Sequence, residues 1–423
     1  MRAQIQCPNC SQKHHIQNPY PGSLLLCPHC QTALLLELSP ELEKEFHLHP
    51  PKQYRFTIHS GRKKQPLTPT ILPPETLQQL QEKALFALSR WLDLNKEHLS
   101  NVLQLLEQNQ AYDEFKIPKT QPHTFRQISA PKEELKLVQR RILDRLLYRI
   151  PTSNACHGFT QGRSIVTNAK FHLPTAYEIY NLDLKDAFPT VNTLWVKHLL
   201  VRYLKIPLKH LGEHVEHEVL DEIILILTKM LTHKNGLPQG SPASGCLLNI
   251  ACIKMDKYLY KLIADKYQNT IRYSRYADDL TFSSPTTIPQ SFRQEVQQII
   301  RNCGFSINPS KIKYLSKKRQ QLLEVTGLIL EKGQIRIPKT NLERYRATIH
   351  NAYLLPHEEL TEQKRLEVHS IVAFVSMVYS HLPNRIQKPY QKFLEKHGGK
   401  PIGKLTKLGW KTYPPDPPNP KLT

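Results

Sequence analysis

The sequence predicts an α+β fold, on three observations. Several segments carry apolar residues at three- and four-residue steps, the period of one helix face. Short apolar runs, and a tight acidic turn between two strand-like arms, mark strands and a hairpin. The two kinds of segment are mixed instead of alternating regularly, which argues against a parallel α/β sheet. The 423 residues are enough for roughly two to four domains with their own cores, and no internal repeat is visible.

Taken in order, Cys7-Pro8-Asn9-Cys10 and Cys27-Pro28-His29-Cys30 bracket a short polar loop, and a Pro-rich, helix-poor stretch runs from Ser39 to about Pro74. Glu75 to Gln108 reads as helix, because Leu77, Leu80, Ala84, Leu85, Leu88, Trp91 and Leu92 recur on one face. Pro118, Pro122 and Pro131 punctuate a loop-and-strand region, and Lys132 to Ile150 follows as an amphipathic helix. Ile179 to Leu184 is an apolar run that ends in acids, as a buried strand does. Val219 to Leu231 and Ser244 to Ala264 are apolar helices, and Arg272 to Phe282 is a hairpin around its acidic turn. Pro289 to Cys303 is helical, Gly304 to Asn308 leads into a basic segment, and the region after Gly333 is basic and mainly helical. The tail from Pro414 to Pro420 is too rich in Pro to fold alone. These shifts predict four parts: 1–38, 39–115, 116–324 and 325–423.

Lys and Arg number 58 against 36 Asp and Glu, a net charge of +22. Such a surplus points to a polyanionic partner, because basic side chains replace the counterions along a phosphate backbone; a generally basic solvated surface is the alternative. No stretch approaches the roughly 18 apolar residues of a membrane span, and the first ten residues lack the apolar core of a signal peptide. A cytoplasmic location follows as the expectation, with thiols kept reduced. Cys156, Cys246, Cys252 and Cys303 then read as small buried residues. Cys7, Cys10, Cys27 and Cys30 fit a four-thiolate structural Zn²⁺ ribbon, since two thiolate pairs on turns satisfy a tetrahedral ion. A disulfide is the alternative for these four, and His14, His15 and His29 are substitute ligands.

The sharpest chemical signal is Tyr276-Ala277-Asp278-Asp279. Adjacent carboxylates at a hairpin tip repel, so the pair calls for a cation, and oxygen ligands suit Mg²⁺. Alone, a paired Asp is an ordinary polar turn. Asp183 changes that, because it ends the apolar strand of Asn181-Leu182-Asp183-Leu184-Lys185-Asp186-Ala187-Phe188. A strand-end Asp beside a hairpin-tip Asp can hold two metal ions about 4 Å apart, one activating a hydroxyl and the other steadying a leaving group.

The order of Asp183…Phe188, Gly236-Leu237-Pro238-Gln239-Gly240-Ser241-Pro242, Tyr276-Ala277-Asp278-Asp279 and Gly304-Phe305…Asn308…Lys311 resembles the palm of reverse transcriptases, over roughly a third of the chain. The resemblance implies a right-hand polymerase of fingers, palm and thumb that makes DNA on RNA from deoxynucleoside triphosphates. Asp183, Asp278 and Asp279, with Leu184, would hold two Mg²⁺ ions. The backbone from Leu184 through Lys185 and Asp186 to Ala187 would cradle the triphosphate. Phe188 would be a steric gate against a ribose 2′-hydroxyl, with an ordinary core Phe as its alternative. Gln239 would meet the nascent pair, Lys311 would protonate pyrophosphate or act as a charge, and Arg126 and Lys132 would reach the triphosphate; for the last two a solvated basic face is the alternative.

Two further segments resemble the retron group of these enzymes. Asn168-Ala169-Lys170-Phe171-His172 matches its Asn-Ala-x-x-His element, and Val325-Thr326-Gly327 its Val-Thr-Gly element. The resemblance implies that Asn168, Ala169, His172, Val325, Thr326 and Gly327 contact a structured non-coding RNA that serves as template and primer. It further implies a branched RNA–DNA product, a place in anti-phage defence, and room for an effector protein. Two features depart from the group. Ala243 to Leu247 lacks a second Pro, and the N-terminal cysteine region is additional. Other prokaryotic reverse transcriptases of intron, diversity-generating or defence type, and an RNA-binding scaffold on an inactive polymerase fold, are the alternatives.

Overall fold

A computed structural model of the chain describes residues 74–118, 124–211 and 215–398, together with five short strands nearer the N-terminus. The chain forms two compact units, 1–77 and 78–423. In the first, β1 (Arg2–Gln6) pairs antiparallel with β2 (Lys13–Gln17), and β3 (Leu24–Leu26) with β4 (Ala33–Glu37), which also pairs with β5 (Thr57–Ile58). Each Cys-x-x-Cys therefore falls in the connection between two paired strands. The cysteines themselves lie outside the described residues.

Helix Pro74–Leu92 runs across the boundary into the second unit and helix Lys96–Glu107 follows it, where the periodicity predicts one. The break is local chemistry. Asp93 takes a left-handed φ of 53°, and the Asn95 carboxamide accepts the Glu97 amide at 3.0 Å, capping a new helix. The predicted helix over 244–264 is likewise split, into Ser244–Ala251 and Ile253–Tyr267, around Cys252. Of the four later cysteines, Cys156, Cys246 and Cys252 are buried and Cys303 is partly so.

β6 (Tyr112–Pro118) and β7 (Phe125–Pro131) form a separate hairpin. The central sheet is built on β8 (Glu178–Lys185). One edge of β8 pairs antiparallel with β10 (Asp279–Ser284), which pairs in turn with β9 (Arg272–Tyr276). The other edge pairs with β11 (Ser306–Ile307) and then β12 (Lys313–Ser316), also antiparallel. A smaller sheet follows, of β13 (Leu323–Val325), β14 (Leu328–Glu331) and β15 (Gln334–Arg336), ahead of helices Lys339–Leu354, Glu362–Val378 and Asn384–His397.

Alternation along β8 and β10 sorts side chains between two cores. Tyr180, Leu182, Leu184, Leu280 and Phe282 enter the larger core. There Phe282 stacks on Tyr273 with ring centroids 4.8 Å apart, so Phe282→Ala is expected to cost about 3–5 kcal/mol. Ile179, on the opposite face, joins the second core, with Val325, Leu328 and residues of the last three helices. The polar residues Asn181, Asp183, Asp279, Thr281 and Ser283 occupy odd positions on that same face. No described helix is long and apolar enough to cross a membrane.

Candidate active site

The acidic turn is a two-residue hairpin loop, Ala277-Asp278, between β9 and β10. Ala277 is held at a left-handed φ of 58°, a conformation that costs a residue with a Cβ about 1 kcal/mol or more. Register brings the acids together: Asp279 faces Asp183 across the strand pair, and the Leu184 amide donates to the Asp278 carbonyl at 2.9 Å. At the outer edge of β8, the Asn308 amide donates to the Asp183 carbonyl at 2.9 Å, and the Lys311 amide to the Asn308 carbonyl at 3.2 Å. That turn brings Lys311 Nζ to 2.7 Å from Asp183 Oδ1.

Electrostatics follow from the crowding. Burial, then the charge of Asp183, raises the Asp278 carboxyl above its ordinary range, while Lys311 and Arg126 partly offset this. Asp279 opens to solvent at the mouth of the site, but crowding by protein and the charges of Asp278 and Asp183 push it up to about 7. Burial pulls the Lys311 ammonium down, yet its hydrogen bond to Asp183 and the three nearby negative charges leave it raised. The acids offer only oxygen donors and repel one another, which is donor chemistry that fits a hard divalent cation. As the side chains stand, no three His, Cys, Asp or Glu among the described residues converge on one metal position. Lys311 supplies the counter-charge on Asp183, and a cation binding there would take its place.

Beneath the turn lies a residue pair that the motif reading missed. Arg275 and Asp256 have no exposed side-chain surface. Arg275 Nε donates to Asp256 Oδ1 at 3.1 Å and Nη2 to Oδ2 at 2.8 Å. Nη2 also reaches Cys156 Sγ at 2.9 Å. Nη1 donates to Asn249 Oδ1 and to the Ala277 carbonyl, both at 2.9 Å. The five guanidinium N–H groups thus meet five acceptors, one of them the backbone of the acidic turn. Gly158 closes the other side, where an added Cβ would stand 2.6 Å from the Ala277 nitrogen. A cue was present, since Asp256 is a charge on an otherwise apolar helix face and Arg275 stands three positions before Asp278.

The remaining expected residues are distributed as follows. Lys185 and Asp186 are exposed; Asp186 takes a left-handed φ of 47° and starts the short helix Ala187–Thr190. Ala187 is buried, and Phe188 is partly buried with its ring edge-on to Phe159 at 6.2 Å. Gln239 is tied to the β6–β7 hairpin through its carbonyl, which accepts the Ser129 amide at 2.9 Å. Gly240 passes so close, at φ 132°, that a Cβ would lie 2.8 Å from the Ser129 carbonyl oxygen. Arg126 is exposed on β7, and its charge acts on Asp278. Lys132 precedes helix Glu133–Arg145 in extended backbone without a side-chain capping bond. The expected RNA contacts need correction. Asn168, Ala169, His172 and Val325 have no exposed surface, so they cannot themselves touch RNA; Thr326 is partly exposed and Gly327 exposed.

Residues 117–330, half of the chain, match the family described as reverse transcriptase (RNA-dependent DNA polymerase). The match begins on β6 and ends on β14, enclosing the acids. The chain is 36% identical over 246 residues to the Retron Mx162 reverse transcriptase of Myxococcus xanthus, covering 53% of this chain and 50% of that protein. It is 29% identical over 287 residues to the Retron Ec86 reverse transcriptase of Escherichia coli, covering 66% and 80%. To the Retron Mx65 reverse transcriptase of Myxococcus xanthus it is 31% identical over 283 residues, covering 66% and 64%. The chain thus spans half the length of the first of these relatives. It belongs to the reverse transcriptase (RNA-dependent DNA polymerase) family.

Proposed function

We propose that the chain is an RNA-directed DNA polymerase of retron type, which copies a structured non-coding RNA into DNA. The observation that carries the reading is the facing of Asp183 and Asp279 across β8 and β10, with Asp278 in the turn beside them. In this reading residues 116–324 form fingers and palm, and 325–423 a basic thumb and tail.

Asp183 and Asp278, supported by Asp279 and the Leu184 backbone, would hold two Mg²⁺ ions, which when bound activate the attacking hydroxyl and stabilise the departing pyrophosphate. Lys311 leaves Asp183 as the site loads and turns its ammonium to the pyrophosphate, as a charge or proton donor. Arg126 on β7 offers a guanidinium to the triphosphate. Phe188, backed by Phe159, closes the space beside the sugar, and Gln239, anchored on Ser129, meets the nascent pair.

The partners follow from the same reading: a structured RNA as template and primer, deoxynucleoside triphosphates, a DNA product joined to RNA, and an effector protein in anti-phage defence. The two cysteine-bearing strand connections support a Zn²⁺ ribbon in residues 1–38, and elemental analysis should find about one Zn²⁺ per chain. Purified protein should extend a DNA primer on an RNA template, and the nucleic acid it carries from its host should contain a 2′,5′-branched RNA–DNA product. Absence of primer extension defeats the polymerase reading. Extension with only unbranched DNA defeats the retron reading alone.

A further inference from the structure

The segments Asn168–His172 and Val325–Gly327 meet inside the protein, on the sheet face that carries the acids. His172 is fully buried between two hydroxyls: Nε2 lies 2.7 Å from Ser274 Oγ on β9, and Nδ1 lies 2.7 Å from Ser283 Oγ on β10. Ser274 Oγ donates to Asn168 Oδ1 at 2.5 Å, and Asn168 Nδ2 points to Thr326 Oγ1 at 3.5 Å. Thr175 Oγ1 stands 2.8 Å from Ser283 Oγ. A second link runs in parallel. Thr281 Oγ1 donates to Asn181 Oδ1 at 2.9 Å, and Asn181 Nδ2 donates to the Glu324 carbonyl at 3.0 Å. Asn181 and Thr281 face each other two residues along the strands from Asp183 and Asp279, on the same face.

Proton counting gives the first chain a direction. A serine hydroxyl has one hydrogen. Ser274 gives its hydrogen to Asn168, so it can only accept from His172, and His172 must carry its proton on Nε2. Nδ1 is then an acceptor, Ser283 donates to it, and Thr175 donates to Ser283. Burial pushes the imidazole down to about 3, in keeping with one fixed neutral tautomer.

We infer that Asn168, His172 and Asn181 are positioning residues of the polymerase: their hydrogen bonds fix the Val325–Gly327 turn and β13 to the strands that carry Asp183 and Asp279, and of the six residues the resemblance assigns to RNA only Thr326 and Gly327 are open to it. This rests on the polymerase reading for its kinetic consequence, not for its geometry. The smaller sheet and the helices after it share a core with Val325 and Leu328. Loosening the turn would let that body shift against the acids, and the reacting ends would lose alignment on any template, cognate or not.

The test uses the full chain, with Thr326→Val, which is isosteric and only partly buried, and Asn168→Leu. The ¹⁵N spectrum of histidine-labelled wild type should show His172 protonated on Nε2 alone and unchanged from about pH 5 to 8. Both variants are read for rate, and Asn168→Leu, whose side chain is fully buried, also for affinity to a structured RNA hairpin by filter binding, which should stay within about twofold. The single-turnover rate on a DNA primer annealed to an RNA template should fall about three- to tenfold, with nucleotide half-saturation unchanged. A tenfold loss of RNA affinity in folded Asn168→Leu overturns the inference in favour of direct RNA contact. An unchanged rate in Thr326→Val, or a proton on Nδ1, overturns it as well. If wild type fails to extend the primer, the polymerase reading falls, while the spectrum and the RNA affinities still decide whether the two segments form an internal strut.

Discussion

Arg275→Lys isolates the support beneath the acidic turn. The side chain keeps its positive charge beside Asp256 but has three N–H groups where five are in use. At least two of the five present contacts must go, and the shorter ammonium cannot span from Asp256 to both Asn249 and the Ala277 carbonyl. Each buried acceptor left without a partner costs about 1–3 kcal/mol, and the sulfur contact is weak, so the total is about 2–4 kcal/mol. The melting temperature should fall by about 5–10 °C. Well below that temperature the chain remains folded, but the Ala277 carbonyl is free and the strained φ of 58° relaxes, displacing Asp278. The single-turnover rate should then drop at least about tenfold, a change of about 1.4 kcal/mol in barrier, at unchanged RNA affinity. Thermal melts and rapid-quench incorporation would measure both. A variant that melts within about 1 °C of wild type, and incorporates nucleotide within about twofold of its rate, would refute the five-donor argument.

Asp278→Asn with Asp279→Asn should leave the fold and RNA binding intact and bring synthesis below about 1% of wild type in a primer-extension assay. Phe188→Ala and Phe188→Val should raise incorporation of rGTP relative to dGTP; an unchanged ratio makes Phe188 a core residue only. The folded Asp279 carboxyl titrates at about 7, above its unfolded value of roughly 3.9. Its contribution to stability is therefore full below about pH 4 and lost as pH rises through 7. Metal-free protein should melt at a lower temperature at pH 8 than at pH 5, and Asp279→Asn should shrink that difference; an equal slope in the variant would remove Asp279 as its source.

The parts of the site legible in the sequence are those written locally. An apolar run ending in Asp183 predicts a strand, and two acids between strand-like arms predict a hairpin tip; both hold, in β8 and in β9–β10. The split of the first long helix was written in Asp93 and Asn95, but apolar periodicity runs through the break and hides it. Arg275 and Asp256 are nineteen positions apart, on a strand and a helix, and although Asp256 stands out on an apolar helix face, no local pattern pairs the two. The short motifs at Asn168 and Val325 identify segments without stating which way their side chains face. That depends on Ser274 and Ser283, more than a hundred residues from His172, which no local pattern joins to it.

β8 is flanked by partners along its length, β10 on one side and β11 then β12 on the other, and it sends alternate side chains to two different interiors. Such a strand tolerates substitution far better than a change of length. Deleting one residue between Glu178 and Asp183 would exchange the faces of the residues on one side of the gap. Either the Asp183 carboxylate would be driven among Tyr180, Phe282 and Tyr273, or the strand would tear from its neighbours. Length variation among homologous chains should therefore collect in connections such as 285–289 and spare 178–185, and a library of single-codon deletions scored for folded protein should show its deepest gap over those eight residues.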